Sequence, residues 1–144
     1  MFDLHALPAR SIIRLEQLVF WMFGPTLPVA HVFFGGLAAG WALALCLNPA
    51  LFDAGVYAAI NWLPDPAWIV GHTLLVILHG VSVWRPTWQR LGAAACLGSS
   101  WTWIVLGLTF GLANGFTPGF LVYFIIGLLA AAVALYIAWR PRTA

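Results

Sequence analysis

Three histidines lie inside otherwise apolar stretches of this chain: His31, His72 and His79. An imidazole among lipid-facing residues is costly unless it finds a partner, and it is also the commonest metal ligand. The spacing of His72 and His79, two helical turns apart, places both rings on one face of a helix. His31 sits in a separate apolar stretch at a depth near that of His79. Two imidazoles on adjacent helices at one depth could ligate a haem iron, so His31 and His79 are candidate ligands of haem b. The plainer expectation is a polar site, in which each imidazole hydrogen-bonds across helices to a hydroxyl or a carbonyl. A proton path through His72 and His79 has less support, because no carboxylate lies in any span to accompany them.

Ser99, Ser100, Thr102 and Thr109 cluster in another apolar stretch. Their hydroxyls are expected to bond to carbonyls three or four residues back in the same helix; the functional alternative is a weakly polar pore wall built from several copies. Cys46 and Cys96 are expected near opposite membrane surfaces, too far apart for a disulfide, as small apolar packing residues. No pair of intramembrane carboxylates, nucleophile with a nearby base, phosphate loop or His/Cys/Asp group at metal spacing can be read from the chain. A non-enzymatic protein with no resident metal is expected.

The elements that must position these residues are membrane helices. The chain is 63% hydrophobic and only 7% charged, with a mean hydropathy of +0.97, whereas a soluble domain carries about 25% charged residues. Four spans are predicted, at about 29–47, 67–84, 91–113 and 119–139, which makes an all-α membrane protein of one domain over 1–144. An amphipathic interfacial helix is expected over 8–23, where Arg10, Arg14 and Gln17 share a face. One long kinked helix from Ser11 to Leu47 is the alternative. A short outer-surface helix is expected between the first two spans, with Phe52, Val56, Ile60 and Leu63 at helical spacing.

The basic residues are Arg10, Arg14, Arg85, Arg90, Arg140 and Arg142, and a four-span topology puts all six on one side. The positive-inside rule makes that side the cytoplasm, so both termini are expected there. The net charge of +2 is too small to suggest nucleic-acid binding. No removable signal peptide is expected at the N-terminus. Small residues four apart mark faces for close helix packing: Gly36 and Gly40 in the first span, Gly107, Gly111 and Gly115 along the third, and Gly127 in the fourth.

The order of features, Leu63-Pro64-Asp65-Pro66-Ala67-Trp68, Gly71 and Gly80, the arginine-bearing turn to Arg90, Trp101 and Trp103, then Thr117-Pro118-Gly119 through Val122-Tyr123, resembles small four-span membrane proteins of tailed bacteriophages and prophages. The resemblance covers roughly Arg14 to Arg140 and implies a holin-like protein of the bacterial inner membrane. It carries over no catalytic or ligand residue. The expected function is self-association through the glycine faces of the first and third spans, with a membrane lesion or channel as one outcome. A haem b redox subunit using His31 and His79, or a small accessory subunit of a larger membrane complex, are the alternatives. The expected partners are the lipid bilayer and further copies or other membrane subunits.

Overall fold

A computed structural model of the chain describes residues 17, 22, 24, 27–48, 51, 60 and 62–140. Four helices follow in order: α1 (Pro28–Leu47), α2 (Asp65–Trp84), α3 (Gln89–Asn114) and α4 (Pro118–Trp139). All four are long and apolar enough to cross a membrane. The interfacial helix expected over 8–23 and the outer-surface helix of the first connection fall mostly outside the described residues, as do Arg10, Arg14 and Arg142.

The helix boundaries follow from local backbone chemistry. Leu27 takes a left-handed conformation (φ 45°) and Pro28 opens α1, so no single helix runs from Ser11 to Leu47. Pro64 is extended, and the Asp65-Pro66 pair begins α2 two residues earlier than hydropathy alone indicates. The acidic side chain in that first turn faces the positive end of the helix dipole. Thr117 caps α4, its hydroxyl accepting from the Phe120 N–H. Gly115 closes α3 at φ 72°, a conformation that L side chains rarely adopt. Gly115 thus ends a helix, and a Cβ there would meet nothing within 4 Å among the described residues, although its place on the glycine ridge suggests packing.

α3 is the centre of the bundle. It is the least hydrophobic of the four helices and the most buried, whereas α4 is the most hydrophobic and the least buried. That inversion is what lipid requires: the apolar helix faces the hydrocarbon, and the helix carrying hydroxyls and small residues is enclosed by protein. α3 packs most extensively on α4, and α1 packs on α2. A Cβ at Gly107 would come 3.0 Å from the Phe124 backbone nitrogen, and one at Gly111 would come 2.8 Å from the Phe120 ring. Reciprocally, Gly127 of α4 lies against Ile104 and the Ser100 carbonyl of α3.

Two cores result. One joins Phe34, Ala93, Cys96, Ala130, Ala134 and Ile137 from α1, α3 and α4. The other holds Leu45, Ile60, Trp68, Trp103 and Leu106 towards the opposite end. Arg85, Arg90 and Arg140 gather at the end that bears the α2–α3 turn, with Trp84 and Trp139 exposed beside them. Arg85 stacks on Trp84 and Arg140 on Tyr136, the arrangement of an interfacial aromatic belt.

Gly127→Ala tests the α3–α4 contact. Its Cβ would meet Ile104 Cγ1 at 2.6 Å and the Ile104 backbone nitrogen at 2.9 Å, and a backbone cannot rotate away. A loss of ~1–3 kcal/mol is expected in a denaturation series followed by circular dichroism in detergent. Gly36→Ala, which meets nothing within 4 Å, leaves the midpoint unchanged or slightly raised.

Candidate functional site

The site is built where α1, α2 and α3 meet at the arginine-bearing end. His31 of α1 and His79 of α2 face each other with their Nδ1 atoms 2.9 Å apart. The ring centroids are 5.2 Å apart, and both residues are almost wholly buried. On the far side of His79, Nε2 lies 2.8 Å from Ser99 Oγ of α3. Cys96, one turn before, brings its Sγ to 4.0 Å from His31 Nδ1. One nitrogen from each histidine and the Cys96 sulfur all fall within 4.8 Å of one another.

Small residues make the room. A Cβ at Gly35 would stand 3.1 Å from His79 Cβ, and one at Gly92 would stand 3.1 Å from His31 Nε2. The N-terminal part of the α3 ridge, Gly92, Cys96 and the neighbouring Ser99, thus accommodates imidazoles, and its C-terminal part, Gly107 and Gly111, accommodates α4. His31 also lines a small recess with Ser82, Trp88, Gln89 and Arg140, which leads to the surface bearing the α2–α3 turn.

A neutral imidazole has one N–H and one lone pair, so the Ser99–His79–His31 chain has two consistent directions. In one, Ser99 donates to His79 Nε2, and His79 donates from Nδ1 to His31. In the other, His31 donates from Nδ1 to His79, and His79 donates from Nε2 to Ser99. Both satisfy the two His79 nitrogens and His31 Nδ1 without creating a charge in a low-dielectric interior.

His72 lies apart from this pair. It donates from Nδ1 to the Trp68 carbonyl at 2.8 Å, within its own helix. Its ring stacks on Trp41 at 6.0 Å between centroids and is flanked by Trp68 and Trp103. Its Nε2 is buried with no hydrogen-bond partner among the described residues. The two α2 histidines therefore share a face but enter different environments, one polar and one an aromatic cage.

A porphyrin does not fit the pair in this arrangement. Two nitrogens in trans positions on an iron stand roughly 4 Å apart, at ~2.0 Å per metal–imidazole bond, against 2.9 Å here. The macrocycle would also need a slot between the rings, and the room left beside them is tight even for the single Cβ that Gly35 or Gly92 lacks.

The hydroxyls divide by position. Thr102 donates to the Gly98 carbonyl, and Thr109 donates to the Val105 and Leu106 carbonyls, as expected of single-helix hydroxyls. Ser99 instead serves His79. Cys96 is buried beside His31, whereas Cys46 is exposed near the far end of α1, and neither is in a disulfide. A His/Cys group absent from the sequence spacing is thus assembled by tertiary structure. One signal for it was present: His79 and Cys96 are equidistant from the centre of the turn between Thr87 and Trp88, so an antiparallel hairpin sets them level.

His31→Leu removes one partner and leaves His79 Nδ1 buried and unpaired, which costs ~1–3 kcal/mol. The His31→Leu/His79→Leu pair is expected to lose less than the sum of the two single losses, since it strands neither Nδ1. A double-mutant cycle on detergent-solubilised protein measures this directly, and additive losses would count against the pairing.

The chain matches no family model, no curated protein and no solved structure.

Proposed function

We propose that the protein is a non-enzymatic, phage-derived subunit of the bacterial inner membrane that works by assembling with further copies of itself, with a holin-like lesion as the functional end state. The observation that supports this reading most directly is the contrast between its two sets of glycines. Those of α3 and α4 are consumed inside the chain, whereas Gly36, Gly40, Gly71 and Gly80 would each meet nothing within 4 Å among the described residues if given a Cβ. They lie on α1 and α2, which pack on each other. Lipid supplies no hydrophobic drive for helix association, so backbone faces free of side chains are where another transmembrane helix can approach closely.

Arg85, Arg90 and Arg140 share one end of the bundle. By the positive-inside rule this end faces the cytoplasm, with Arg10, Arg14 and Arg142 added to the same side and both termini within it. Other membrane subunits are the alternative neighbours, and nucleic acid is not a partner in this reading.

Gly36→Leu and Gly40→Leu place isobutyl groups on an α1 face where a Cβ meets none of the described residues. The native particle mass in detergent is expected to fall to that of one chain while the unfolding midpoint holds; an unaltered mass would remove self-assembly through this face. In cells carrying a potential-sensitive dye, induced wild-type protein is expected to collapse the membrane potential and the double variant to delay it. An undisturbed potential at high expression of wild type would remove the lesion.

A further inference from the structure

We propose that His31, His79 and Cys96 form a binding site for a soft monovalent cation, Cu(I). This is independent of the assembly reading, since the site is internal to one chain. Three different helices each supply one donor, and the three donor atoms already lie within 4.8 Å of one another. A thiolate with two imidazoles is a soft donor set, and thiolate is the ligand that selects Cu(I) over harder ions. Three donors with no carboxylate and no fourth protein ligand among the described residues favour a low-coordinate ion.

Charge decides between metals. Binding breaks the Cys96 S–H bond and forms a Cu–S bond, and the released proton leaves through the recess beside His31. One monovalent cation replaces one proton, so the buried site keeps its net charge. A divalent ion such as Zn(II) would leave one uncompensated positive charge among apolar residues, which the membrane interior penalises heavily. No electron is transferred in this step.

The surrounding groups are those a metal site needs. When His79 donates from Nε2 to Ser99 Oγ, its Nδ1 presents a lone pair toward His31 and Cys96. An outer hydrogen bond of this kind fixes the tautomer of a metal-bound histidine. His31 then carries its proton on Nε2, beside Gly92 and the recess, and offers Nδ1. The recess at the α2–α3 turn reaches His31, one of the three donors. The adjustment is small: at ~2.0 Å per metal–nitrogen bond in a trigonal shell, the two Nδ1 atoms must separate by roughly 0.5 Å.

The test is an anaerobic titration of the full chain in detergent with Cu(I) against a chromophoric Cu(I) chelator, together with X-ray absorption on the loaded protein. One copper per chain is expected, with one sulfur and two nitrogens around it. Cys96→Ser should abolish stoichiometric binding, Cys46→Ser should leave it intact, and Ser99→Ala should weaken it ~10–100-fold. A copper shell without sulfur, undiminished binding by Cys96→Ser, or displacement of Cu(I) by equimolar Zn(II) would overturn the assignment. The absorption spectrum of wild type decides the ligand set even if a variant does not fold.

Discussion

Inside a bilayer a buried imidazole cannot turn to water, and His31 and His79 find their partners on neighbouring helices. This one constraint organises the structure. His31, His79 and Ser99 answer one another from α1, α2 and α3, which ties three helices together at a single depth. Sliding any of them by one turn would strand at least one polar group in a low-dielectric interior, at the full desolvation cost of that group. Hydrophobic contacts in lipid are nearly indifferent to such a slip, because tails and side chains are equally apolar. The polar triad therefore sets register, and the surrounding apolar cores supply packing.

Glycine complements this division. Where an imidazole must fit, Gly35 and Gly92 vacate the space; where two backbones must touch, Gly107 and Gly127 do. The same residue type thus serves recognition at one end of α3 and helix contact at the other. Gly36 and Gly40 do neither among the described residues.

Much of the architecture was legible in hydropathy. The four spans were located to within two residues at their ends because Pro28, Pro66 and Pro118 mark helix starts and Gly115 marks a stop. The proximity of His31 and His79 followed from depth alone. What could not be read was their distance. Ligand separation sufficient for haem and direct hydrogen bonding give the same sequence pattern, and only the packing of Gly35 and Gly92 distinguishes them. Cys96 packs in the Phe34–Ala134 core as a small apolar residue should, and what its spacing did not reveal is that its sulfur also lies beside His31. Ser99 looked like its neighbours Ser100 and Thr102, since the choice between a carbonyl of its own helix and a ring on another depends on rotation about α3, which its weak amphipathicity does not reveal.

The inverted distribution of hydrophobicity between α3 and α4 bears on how the protein enters its membrane. α3, the least apolar span, precedes α4, the most apolar, by only the three residues from Gly115 to Thr117. A helix burying Ser99, Ser100, Thr102 and Thr109 gains little by standing alone in lipid. Its neighbour gains much, and the contact through Gly107, Gly111 and Gly127 joins the two. Biogenesis is thus favoured when α3 and α4 leave the insertion machinery as a hairpin, the later segment drawing in the earlier one, so that a helix built for the protein's interior never has to be solvated by lipid on all sides.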